Sequence, residues 1–153
     1  MPKVDLDSIE AVNRTGYPPP FDAAVAGRWY KRIAPLAGLT EMGASMVTLE
    51  PGAWSSQRHW HEAEDELVVM IEGEAVLVED GGETVLTPGD VAAWAKGSTD
   101  GHHLVNRSGA PCRFVAISAG PRGRGGYSDI DMLFTEDGRY TRRDGTPYDA
   151  SRA

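Results

Sequence analysis

QRHWHEAEDE, residues 57–66, sets His59 and His61 on either side of a tryptophan and follows them with Glu62, Glu64, Asp65 and Glu66. Side chains two apart on an extended strand face the same way. The two imidazoles therefore point together with Gln57, while Arg58 and Trp60 face the opposite side. If the acidic stretch is a hairpin tip, the returning strand begins near Glu66 and brings that carboxylate alongside the imidazoles. The chain's two other histidines, His102 and His103, are adjacent at the start of another extended segment, and either supplies a third imidazole. Two or three neutral imidazoles with one carboxylate make a nitrogen–oxygen set suited to a divalent transition ion. The competing reading is an acidic turn that happens to contain histidines, but it does not account for all four histidines falling in these two places. Glu62 and Glu64 are expected to be solvated tip residues.

Holding such a set requires short strands and tight connections, and the chain from Gly43 onward has that texture. Eight candidate strands occur in order: ASMVTL, SSQRHWH, ELVVMI, EAVLVE, ETVL, VAAWA, HHLVN and CRFVAIS. Turn signals separate them, among them Pro51-Gly52, Asp80-Gly81-Gly82, Pro88-Gly89, Lys96-Gly97 and Ser108-Gly109. Such spacing is what an antiparallel sandwich or barrel produces, and no segment from 43 to 119 has the length and period of an amphipathic helix. The expected fold is all-β. Residues 1–42 are expected to form an N-terminal arm that packs on the barrel or a partner, 43–119 the barrel, and 120–153 a C-terminal arm. Within that last segment RYTR predicts a short strand, and the Gly/Arg-rich PRGRGG at 121–126 reads as a mobile connector. Trp54, Trp60 and Trp94 are expected to pack in the core or an interface, and Cys112, in an apolar run, to be a buried structural thiol.

PGAWSSQRHWHEAEDELVVMIEG resembles the first motif of the cupin superfamily, with Gly52, His59, His61, Glu66 and Gly73 at its fixed positions. GDVAAWAKGSTDGHHLVN resembles the second, with Gly89, Gly97, His102 and Asn106. The first spacer is six residues where five is usual, Ala95 stands at the usual proline, and STDG lengthens the turn before the histidines. The resemblance, of the single-domain sugar-phosphate-isomerase-like type, implies a jelly-roll β-barrel (a double-stranded β-helix). At its mouth one divalent transition metal, whether zinc, manganese, iron or nickel, would be held by His59, His61, Glu66 and His102. His103 stays open as the third imidazole because of the longer turn, although alternation favours His102, on the face of Leu104 and Asn106. Gln57, Val68, Met70 and Leu104 share the ligand faces and are expected to line a narrow pocket. Asn106 faces inward, to pin the strand end or touch a substrate.

The resemblance implies a metal-dependent enzyme acting on a small oxygenated substrate such as a sugar or sugar phosphate, isomerase-like. Its alternatives are an iron-dependent dioxygenase and a non-catalytic ligand-binding or sensor domain. Arg58, Lys96 and PRGRGG are candidate phosphate donors, although Arg58 should face away from the pocket, and no catalytic base is identifiable. A net charge of −8 over 153 residues opposes binding to nucleic acid or an anionic membrane. The first twenty residues lack the apolar core of a signal peptide, so a cytoplasmic protein is expected. The flanking arms with Trp29, Tyr30 and Tyr140 point to a homodimer, the commonest closed assembly.

Overall fold

Each segment expected as a strand between Gly43 and Ala119 contains a paired strand in the computed structural model, which describes residues 3–148, although SSQRHWH is regular only from His59. The strands are β1 (Arg28–Arg32), β2 (Met42–Leu49), β3 (His59–His61), β4 (Asp65–Glu72), β5 (Ala75–Glu79), β6 (Gly82–Leu86), β7 (Val91–Trp94), β8 (His103–Val105), β9 (Cys112–Ala119), β10 (Gly125–Tyr127), β11 (Leu133–Phe134) and β12 (Tyr140–Thr141). Only single helical turns interrupt them. One antiparallel sheet runs β1-β2-β9-β4-β7. Opposite it stand β6-β5-β8 and β12-β11-β10-β3, and the bridge between His59 and His102 joins these two sets. The architecture is the all-β jelly roll.

Alternation fills the space between the walls. Val47 and Leu49 on β2, Val68 and Met70 on β4, Ala75 and Leu77 on β5, and Cys112 and Phe114 on β9 point inward and form one buried cluster with Leu86 and Leu104. Fully burying each large side chain contributes about 1.5–3 kcal/mol. The Cys112 thiol lies in this cluster, and burial pushes its pKa up to about 11, consistent with a structural role. Gly73 closes the turn after β4 at φ +72°, where an added Cβ would come within 2.8 Å of the Pro111 carbonyl oxygen, so the turn accepts no other residue easily.

The flanks contribute strands of their own, although residues 1–2 and 149–153 of the two expected arms lie outside the described residues. β1 pairs along β2 from Arg28 opposite Leu49 to Arg32 opposite Ser45. Its alternation is cationic and aromatic, with Arg28, Tyr30 and Arg32 on one face, and does not register as a core pattern. The Gly/Arg-rich segment is in part a strand: its last two residues, Gly125 and Gly126, open β10, which pairs with β3 throughout. Its two glycines allow that strand to lie against Trp60 and Phe134. RYTR contains β12, as expected. No helix among the described residues is long and apolar enough to cross a membrane.

Candidate metal centre

Two histidines share a face because β3 is a regular strand at His59–His61. The third reaches them because His59 and His102 exchange backbone hydrogen bonds of 3.2 and 2.9 Å. Glu66 enters from β4 in the opposite wall. The three Nε2 atoms fan around its carboxylate: His59 at 3.6 Å and His102 at 2.7 Å from Oε2, and His61 at 3.3 Å from Oε1. Donor atoms of His59, His61 and Glu66 all lie within 4.8 Å of one another and could hold a metal ion. Asp65 is turned away and accepts from the Lys96 backbone N–H. His103 occupies the other face, where its Nδ1 donates to the Ser56 carbonyl at 3.0 Å and its ring meets Trp54 edge-on.

Neighbours set the orientation of each imidazole. His59 Nδ1 is 3.1 Å from the Gln57 carbonyl oxygen, which can only accept, so the proton sits on Nδ1 and the Nε2 lone pair faces Glu66. Trp94, opposite Glu66 on β7, stacks on His102 at 3.8 Å and is anchored by its indole N–H to Glu79. Glu64 is no solvated tip residue: its carboxylate lies 3.1 Å from His61 Nδ1. Nothing in the periodicity marks it, because it is on the turn rather than on a strand. Glu62 is exposed.

Both His61 nitrogens, and Nδ1 of His102, are buried without a hydrogen bond, since the carboxylates near His61 are close but poorly aligned. An unsatisfied buried polar group costs about 1–3 kcal/mol. The orphaned His61 Nε2, facing the Glu66 carboxylate, fits the donor set of a divalent ion. Burial outweighs the neighbouring Glu66 at His59 and lowers its pKa to about 4. Burial also opposes charge on His61, but Glu64 and Glu66 prevail and raise it to about 9. The same burial opposes charge on Glu66, yet His102 and His61 hold its carboxyl well below the usual range.

A pH dependence follows, since a metal ligand must be deprotonated. His59 is already neutral at pH 7, whereas His61 keeps its proton to about pH 9 and must release it when an ion binds. Apparent affinity should therefore climb by about tenfold per pH unit between pH 6 and 8. Zinc titrations in buffers of different ionisation enthalpy would detect the released proton. Affinity that is flat with pH would overturn this assignment.

The donors open into a cavity of about 570 Å³. Of the residues expected to line it, Val68 and Leu104 do so. Gln57 does not: regular pairing starts only at His59, and its amide turns to donate to the Phe21 carbonyl at 2.9 Å. Met70 lies too deep, at 1% exposure in the core. Asn106 is fully buried and structural, donating to the Leu49 and Ala110 carbonyls and accepting from Ser108. Arg58 faces away from the cavity, as expected, and pairs with Asp80 and Asp129. Lys96 does not line the cavity, but Arg122 of the PRGRGG segment does. Tyr17, Arg28 and Tyr127 also line it, and no sequence motif marks them.

Residues 45–118 match a family model described as Cupin domain. A crystal structure from Silicibacter pomeroyi, described as a sugar phosphate isomerase from a cupin superfamily, superposes with a TM-score of 0.91 at 42% identity, covering 99% of each chain. A structure from Acidithiobacillus ferrooxidans, provisionally named a sugar phosphate isomerase, gives a TM-score of 0.68 at 20% identity over 76% of each chain. A polyketide cyclase from Streptomyces resistomycificus gives 0.61 at 21% identity, over 78% of this chain and 79% of its own. The last two likenesses concern the fold alone. No curated protein matches the sequence.

Proposed function

The chain belongs to the cupin superfamily, and from that premise we propose that it is a metal-dependent enzyme acting on a small sugar phosphate, with isomerase-like chemistry. The observation that carries this reading is the convergence of three imidazole Nε2 atoms on the Glu66 carboxylate inside a cavity of about 570 Å³, a volume that suits a small substrate. The full-length likeness to a protein described as a sugar phosphate isomerase narrows the substrate class.

In this reading His59, His61, Glu66 and His102 hold the ion, Glu64 orients His61, and Trp94 fixes the plane of His102. When bound, such an ion supplies Lewis acidity toward a substrate carbonyl or hydroxyl. Tyr17 and Tyr127 face the same cavity, and burial raises both phenols above their ordinary range, Tyr17 to about 12. Both stay neutral at pH 7 and offer O–H donors to substrate oxygens.

Elemental analysis of purified protein, followed by a panel of aldose and ketose phosphates under air and under nitrogen, tests the proposal. The expected result is about one divalent ion per chain and interconversion that needs no oxygen. Bound iron with oxygen-dependent consumption would instead establish a dioxygenase. Metal with ligand binding but no turnover would establish a sensor.

A further inference from the structure

Some arginines of this acidic protein are neutralised by carboxylates and others are not. Arg58, Arg107, Arg113, Arg124 and Arg139 each form an ion pair with a carboxylate. Arg14, Arg28, Arg32 and Arg122 form none among the described residues, and all four line the one cavity that contains the histidines. Arg28 is the most constrained. Its Nη1 donates to the Ser55 carbonyl at 2.7 Å and its Nη2 approaches the Arg14 carbonyl at 3.5 Å, while Nε is sealed from solvent with no partner. Among the described residues neutral carbonyls thus supply the only hydrogen bonds to this half-buried cation, and no carboxylate there compensates its charge.

Arg28 and Arg32 project from the same face of β1 and flank a single ring. Each guanidinium carbon lies 5.6 Å from the centre of Tyr30. Both line the histidine cavity, so an anion bound there meets positive charge that no carboxylate among the described residues neutralises. We infer that Arg28 and Arg32, with the Tyr17 phenol in the same cavity, form the subsite that takes the phosphate group of the substrate. The inference deepens the function proposed above and takes its phosphorylated substrate from that reading.

A phosphate monoester suits the arrangement better than a carboxylate. It carries up to two charges on three terminal oxygens, and planar guanidinium forks match those oxygens in pairs. The position is also right. Ser55, which holds Arg28, precedes Ser56, whose hydroxyl lies 3.1 Å from His59 Nδ1. Arg28 and the three histidines line the same cavity, so an anion held at Arg28 leaves the rest of a short sugar in the space that the histidines face. Arg28, Arg32 and Tyr17 all precede the matched family region at 45–118. Substrate selection would then belong to the flanking segment and metal binding to the barrel.

Isothermal titration of the full chain with inorganic phosphate, and separately with acetate, tests this, alongside elemental analysis of every variant. The wild type should bind one phosphate and bind acetate far more weakly. Arg28→Met should weaken phosphate by about tenfold or more, the loss expected for a charge-assisted hydrogen bond, with metal content unchanged. Arg32→Met alters an exposed side chain and should weaken phosphate severalfold, so it decides the matter if the Arg28 variant does not fold. Undiminished phosphate affinity in the folded variants, no phosphate binding by the wild type, or equal affinity for acetate would each overturn the subsite. Arg28-dependent phosphate binding in a protein that holds no metal would sink the enzyme reading and leave the subsite standing.

Discussion

Replacing His61 with alanine should abolish stoichiometric metal. Both nitrogens of this imidazole are buried, one against Glu64 and one against Glu66. Its removal therefore deletes a donor and releases the two carboxylates it holds. Losing an outer partner of a metal ligand costs about 10–100-fold in affinity, so losing the ligand itself should cost more than about 100-fold, and Glu64→Gln should fall within that range. His102→Ala should behave like His61→Ala. His103→Ala should stay within about threefold of wild type, because its ring bonds to Ser56 on the far face, outside the donor set. Elemental analysis and zinc titration of the variants check the series, and full occupancy in His61→Ala would show that the ion binds elsewhere.

Gly125→Ala should be among the most destabilising single substitutions in the chain. Gly125 lies on β10 directly opposite His61, and an added Cβ would fall 2.2 Å from the Trp60 carbonyl oxygen and 2.1 Å from the Phe134 ring. The ring can swing aside. The carbonyl belongs to β3 between the two histidines, so it moves only if the strand that presents them moves. Overpacking of this kind costs about 3 kcal/mol, which lowers the melting temperature of a domain this size by about 6–12 °C. Metal affinity should fall in the folded fraction as well. Gly109→Ala, with nothing within 4 Å of the added atom, is the control that should melt like wild type. Equal melting of both variants would refute the close approach of β10 to β3.

The sequence by itself determined the strands of the barrel and most of the candidate donor set. Residue alternation and turn chemistry act between near neighbours, so His59 and His61 on one face, and the breaks at glycine and proline, could be read without knowing the partners. Only the tertiary structure decided whatever depends on contacts between distant segments. It brought Glu66 rather than Asp65 to the histidines, and it placed His102 rather than His103 against that carboxylate through the pairing with His59. It also turned Gln57 toward Phe21, because pairing in β3 begins two residues later than alternation assumed. Glu64, Arg28 and Tyr127 carry no local signal, since a carboxylate on a turn or an arginine on an edge strand looks solvated until another wall closes over it. The polar PRGRGG segment conceals β10 for the same reason. Glycine contributes no side-chain pattern, and its value there is the absence of a Cβ where two strands nearly touch, which no property of the segment alone can express.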